Sequence, residues 1–217
     1  MIFVNFKTYK EGSGDRALSL AETIAKVAKE TGVEIIACPQ EVDFKGVVEI
    51  TGGSVWAQHV DATERGKTTG WFPPEIAKEM GAKGTLLNHS EHKLTVGELA
   101  ETIQLCKKVD LKTLVFADGP EEAEIAAEFA PDFIGYEPPE LVGSKETSVV
   151  MAEPDTIKRV VNAVSPVKVL VGAGVHRKED VVKSLEFGAV GVALATDVVL
   201  AENPEESLRK IAEGFKS

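Results

Sequence analysis

Eight short apolar runs recur along the chain, at residues 2–6, 33–38, 54–60, 84–88, 111–117, 132–137, 167–172 and 189–193, and most are followed by a segment of helical periodicity. Strands separated by a helix cannot pair as hairpins. Each helix carries the chain back across the sheet, so successive strands lie parallel and the crossovers are right-handed. A series of about eight such units from end to end implies a sheet closed on itself, with the helices outside. The expected fold is therefore α/β, an eight-stranded parallel (β/α)8 barrel formed by residues 1–217 as a single domain. Spread over eight units, the 217 residues leave about 27 apiece, near the lower limit for this architecture, so some helices must be short. The weakest are 41–50, interrupted by Gly46, and the acidic 120–129. An open, doubly wound sheet is the alternative, but its dinucleotide-binding glycine fingerprint is missing from the sequence and no linker divides the chain.

The helical segments carry their own boundary signals. Residues 15–30 put Leu18, Ala21, Ile24, Ala25 and Ala28 on one stripe, and 95–109 do the same with Leu99, Ile103 and Cys106. Thr95 stands three residues before Glu98 with the spacing of a capping box; Pro74, Pro154 and Pro204 sit near helix starts, and Gly32, Gly81 and Gly188 just past helix ends. Composition narrows the partners. With 24 Lys+Arg against 35 Asp+Glu, the net charge of -11 argues against nucleic acid or an anionic membrane. A small anion remains compatible, because exposed charges act over only about 8 Å at physiological salt. No apolar run approaches the length of a membrane span and the first residues read as a strand, so the cytoplasm is the expected compartment. Cys38 and Cys106 are too few for a disulfide framework and lack metal-ligand spacing; both are expected in the core.

Chemistry-bearing residues fall at the carboxyl ends of strands, where barrels of this kind place their active sites. Alternation puts Phe3, Asn5 and Lys7 on one face of the first strand, with Ile2, Val4 and Phe6 facing helices. An inward ammonium needs an anionic partner or ligand. The same rule puts Thr85, Leu87 and His89 on one face of the fourth strand, and Ser90-Glu91 can then open a short helical turn whose N-terminus would keep the ring neutral. In the sixth strand Phe133, Gly135 and Glu137 share a face, opposite Ile134 and Tyr136. Pro138-Pro139 stiffens the loop beyond Glu137 and Gly143-Ser144 restores backbone freedom, the pattern of a lid. The small-residue turns at 171–175 and 192–197 offer backbone N–H groups at the same rim, of the kind that hold phosphate. His59, His92 and His176 are expected to be structural or surface residues.

Asn5-Phe-Lys7, Asn88-His-Ser-Glu91 and Tyr136-Glu-Pro-Pro-Glu-Leu-Val-Gly143, in this order and spacing over the whole chain, together resemble the triosephosphate isomerase family in its short archaeal form. Gly172-Ala-Gly174 and Ala195-Thr196 match that family's phosphate-binding turns. The resemblance implies a TIM barrel that interconverts dihydroxyacetone phosphate and glyceraldehyde 3-phosphate through an enediolate, with no metal or organic cofactor. Glu137 would move the carbon-bound proton, His89 would polarise the carbonyl, and Lys7 and Asn5 would stabilise charge on the substrate oxygens. Asn5, Phe6, Lys7, Val142, Gly143, Gly174, Ala195 and Thr196 would contact the substrate. Bacterial and eukaryotic members typically have glycine where Asn88 stands. Thr69-Gly70, within 61–71, matches the family's subunit-contact loop and implies a homo-oligomer, tetrameric in the short type.

Three other readings are compatible with parts of the pattern. A sugar-phosphate epimerase would share the phosphate turns but would be expected to show a metal-ligand set or paired acids. A Schiff-base aldolase built on Lys7 would leave Glu137 and the lid without a role. A phosphate-binding module without activity would need neither a base nor an electrophile.

Overall fold

The computed structural model describes residues 1–142 and 147–216. It contains the eight expected strands: β1 Ile2–Asn5, β2 Ile35–Cys38, β3 Trp56–Ala57, β4 Gly84–Leu87, β5 Lys112–Ala117, β6 Phe133–Tyr136, β7 Lys168–Val171 and β8 Gly191–Leu194. Their hydrogen-bonded order, β2-β1-β8-β7-β6-β5-β4-β3, is that of a ring cut once. A parallel bridge between Ala37 and Val55 joins the cut edges, with the Ala37 N–H donating to Ser54 O at 3.0 Å. The first and last strands pair directly, Ile2 opposite Val192 and Val4 opposite Leu194. β3 is much shorter than the expected 54–60. Just beyond it the Gln58 side-chain amide donates to Lys7 O at 3.1 Å and Cys38 O at 3.0 Å, so a side chain takes over from the backbone ladder.

Alternation sorts the strand residues into two cores. Phe3, Trp56, Leu86, Leu114, Phe133 and Leu170 fill the barrel, whereas Ile2, Val4, Leu87, Ile134, Val169 and Val192 face the helices. The barrel interior is aromatic at its centre: Phe3 meets Trp56 edge-on at 4.9 Å, and Trp56 lies 5.9 Å from Phe133. Such bulk requires small neighbours. A Cβ at Gly84 would lie 2.5 Å from the Trp56 ring, and one at Gly135 would lie 2.7 Å from Phe116.

The outer layer comprises α1 Asp15–Thr31, α2 Phe44–Thr51, α3 Pro74–Glu79, α4 Val96–Lys108, α5 Pro120–Glu128, α6 Val149–Ala152, α7 Pro154–Ala163, α8 Lys178–Glu186, α9 Thr196–Val199 and α10 Pro204–Ala212. The expected capping box opens α4: Thr95 Oγ1 accepts from Glu98 N, and Glu98 Oε2 accepts from Thr95 N at 2.8 Å. The 41–50 segment divides into a 3-10 turn, Glu41–Asp43, and α2. Gly46 does not interrupt α2; it lets α1 approach, since a Cβ there would lie 2.7 Å from Leu18. Cys38 and Cys106 are free and buried, and burial pushes the Cys106 thiol up to about 12. No helix among the described residues is long and apolar enough to cross a membrane.

Candidate active site

The rim is assembled by turns that break strand geometry. β1 ends at Asn5, and Lys7 is left-handed with φ 48°. The Asn5 Oδ1 accepts the Lys7 N–H at 2.9 Å and clamps that turn. The Lys7 side chain, 11% exposed, then reaches Glu91, with Nζ 2.9 Å from Oε1. The inward ammonium thus has its anion, supplied by a residue that the sequence marks only as part of a turn.

His89 reaches the rim by a different route from the one alternation suggests. Leu86 points into the barrel and Leu87 toward the helices, so unbroken alternation would turn Asn88 inward and His89 outward. Asn88 instead adopts φ 57°, and His89 swings over the barrel mouth. The Asn88 side chain is buried beneath: Nδ2 donates to Phe116 O at 2.9 Å and to Glu122 Oε1 at 2.8 Å, and Oδ1 accepts from Leu94 N at 3.0 Å. Left-handed backbone favours glycine and, among other residues, asparagine, whose amide bonds locally. That accounts for an asparagine at this left-handed position.

The expected helical turn after His89 is a single hydrogen-bonded turn, His92 N to His89 O at 2.8 Å, and α4 starts only at Val96. A helix terminus is therefore not what controls the ring. The Glu91 backbone N–H donates to His89 Nδ1 at 3.1 Å. A nitrogen that accepts carries no proton, which puts the ring proton on Nε2. The Glu91 carboxylate lies 3.6 Å from the same Nδ1, a contact that would favour a proton there. The shorter, directed N–H bond decides the tautomer, since that carboxylate is taken up by Lys7.

In β6 alternation runs true to its end. Tyr136 faces outward, donating its hydroxyl to Glu153 Oε2 at 2.5 Å, and Glu137 follows on the barrel side, anchored by its N–H to Ala117 O at 3.1 Å. Glu137 is 8% exposed. Its carboxylate lies across Gly172, where a Cβ would come within 2.0 Å of Oε1. Oε2 stands 3.2 Å from His89 Nε2 but forms no hydrogen bond among the described residues. Phe116 meets the imidazole edge-on at 5.1 Å.

Two further turns complete the rim. Ala173 and Gly174 are both left-handed, φ 63° and 69°, and a Cβ at Gly174 would lie 2.5 Å from Thr147 O. After β8, Ala195 caps α9, and Thr196 Oγ1 is 3.5 Å from the Tyr9 hydroxyl. Asn5, Lys7, His89, Glu137, Val142, Gly174, Ala195 and Thr196 line one cavity. The Phe6 side chain does not join them; it is buried in the helix-facing core, leaving only its backbone between Asn5 and Lys7. Gly143 and the second half of the expected lid lie outside the described residues. Phe116 and Asp197 reach the site without having stood out in the sequence, and Glu91, marked there only as part of the turn and motif after β4, reaches it as the partner of Lys7. Phe116 follows from inward parity in β5, and Glu91 from the need of the lysine for an anion.

The triosephosphate isomerase family profile matches residues 1–213. The chain is 40% identical over 215 residues to the triosephosphate isomerase of Methanocaldococcus jannaschii, spanning 97% of this chain and 98% of that one. Its identity to the Methanopyrus kandleri enzyme is 42% over 221 residues, spanning 99% and 97%. The crystal structure of triosephosphate isomerase from Bartonella henselae shares the fold, with a TM-score of 0.78 at 17% identity, over 100% of this chain and 98% of that one. With a family match over nearly its whole length and relatives that align from end to end, this chain belongs to the triosephosphate isomerase family.

Proposed function

We propose that the rim cavity interconverts dihydroxyacetone phosphate and D-glyceraldehyde 3-phosphate with Glu137 as the base and His89 as the electrophile. The observation that carries this reading is the contact between His89 Nε2 and Glu137 Oε2, 3.2 Å apart in a buried site that also holds Lys7. Glu137 takes the proton from one carbon and returns it to its neighbour. The Nε2–H of His89 faces the substrate oxygens and polarises the carbonyl as charge develops there. Lys7 offsets substrate charge, and Asn5 fixes the turn that aims it. The reaction shifts protons within one molecule and is redox-neutral overall, so no cofactor is called for. Backbone N–H groups at Gly174, Ala195 and Thr196, with the Thr196 hydroxyl and the Val142 backbone, are read as the phosphate end; Gly143 is expected there as well.

The whole chain, 1–217, is read as one isomerase domain, a cytoplasmic homotetramer acting in glycolysis and gluconeogenesis. Trp71, 56% exposed beside Thr69-Gly70, supports an interface on that loop. The test of function is a coupled assay in both directions with a chelator present. Turnover in the wild type and its collapse in Glu137 and His89 variants is the expected result, and variants within a few-fold of wild type would reject the assignment. Light scattering at micromolar protein should give a mass above a dimer; a fully active monomer would rule out the assembly.

A further inference from the structure

One side-chain pair on the rim takes no part in moving the protons of the isomerisation. His176, beyond the turn after β7, places Nδ1 2.7 Å from Oδ1 of Asp197 in α9. Its Nε2 is buried and has no hydrogen-bond partner among the described residues. Asp197 lines the same cavity as Gly174 and Thr196, so a carboxylate borders the end where phosphate is expected. Like charges in a partly desolvated site repel strongly, and a phosphate ester carries close to two negative charges at neutral pH. His176 is the ring that meets this carboxylate, and it is itself held in place. The backbone N–H of His176 donates to Asp180 Oδ2 at 3.0 Å, while Asp180 Oδ1 accepts from Ser148 Oγ at 3.0 Å.

We propose that His176 is a positioning residue for the substrate phosphate: through the Nδ1–Oδ1 contact it holds the Asp197 carboxylate away from the anion, and so joins the turns after β7 and β8 into one subsite. This rests on reading residues 174 and 195–196 as that subsite. The probe is glycerol 3-phosphate, a reduced analogue that cannot isomerise, titrated against the full-length enzyme together with measurement of KM and kcat. His176→Gln should raise KM and the analogue Kd about tenfold with kcat within about threefold, since the lost interaction binds without reacting. Asp197→Asn should tighten the analogue about threefold, and the double variant should return to within about threefold of wild type. A purely structural tie predicts the opposite: both single variants weaken binding and the double is no better. That outcome would overturn the proposal. So would unchanged affinity in folded Asp197→Asn, which decides the matter even where His176→Gln fails to fold. Gly174→Val separates the two readings. Weakened binding there with unaltered His176 and Asp197 variants rejects only the positioning role, whereas unaltered binding in all of them rejects the subsite as well.

Discussion

Nε2 of His89 and Oε2 of Glu137 lie 3.2 Å apart with no hydrogen bond between them. The histidine arrives from β4 through the left-handed Asn88, the glutamate from β6 by unbroken alternation. They meet in a buried site walled by Phe116 and the rim turns. On the proposed reading, an Oε2 withdrawn from water and free of a donor among the described residues would take the proton from carbon, and the neighbouring Nε2–H would serve the adjoining oxygen.

Shortening the base should isolate its geometric role. Glu137→Asp withdraws the carboxylate by roughly 1 Å, so kcat should fall by at least about two orders of magnitude. Thermal melting should be unchanged. Parallel losses of activity and melting temperature would mark Glu137 as structural.

His89→Gln replaces the imidazole with an amide of roughly similar volume whose N–H lies elsewhere and which cannot exchange a proton with the substrate oxygens. A loss of about two orders of magnitude in kcat is expected, with KM altered much less, because the bond strengthens as charge develops on oxygen. Activity within a few-fold of wild type would remove His89 from the electrophile role.

Gly172 carries no functional group, yet its replacement should be costly. Alanine there would bring a methyl group within 2.0 Å of Glu137 Oε1 unless the carboxylate moves. Gly172→Ala should lower kcat by more than about tenfold through displacement of the base. Circular dichroism checks that the barrel survives, and full activity would show that Glu137 has another accessible position.

Glu122 supports the His89 turn from below and gives a pH signature. Burial alone would raise its pKa, but hydrogen bonds from the Asp118 N–H, Lys93 and Asn88 outweigh that and hold the carboxyl below its ordinary value of 4.5. A lowered folded-state pKa means stability that is present above about 4.5 and lost as the pH falls through the folded value. The side chain is 35% exposed, so a contribution of about 1 kcal/mol is appropriate. Melting curves of wild type and Glu122→Gln should differ at pH 7 and converge in acid; a gap that persists at low pH would refute the account.

Strand positions, the helix caps and Glu137 were legible because each follows a local rule: period-two alternation, Thr95 before Glu98, proline at a helix start. Lys7 and His89 were placed at the rim for an incomplete reason. The turns just beyond their strands hold left-handed residues, Lys7 itself and Asn88, and a positive φ resets the alternation that polar patterning reports. Motif order recovered what parity could not. Glu91 and Gly172 stand in motifs the sequence marks, but their contacts with Lys7 and Glu137, like those of the unmarked Gln58, depend on side chains brought near by barrel closure, which no local window contains. His176 reads as a structural or surface residue for the same reason: its partner, Asp197, belongs to the next βα unit.

The pairing of β1 with β8 also bears on how the chain is made. Ile2 waits for Val192, and at a synthesis rate of about 5–20 residues per second that wait lasts roughly 10–40 s. Throughout it, one edge of an Ile-Phe-Val strand is unpaired and able to recruit a neighbouring chain. The ring cannot close before residues 191–194 have been made. Nascent chains stalled before that point keep β1 and β7 as open edges, and they are the products expected to aggregate or to occupy chaperones.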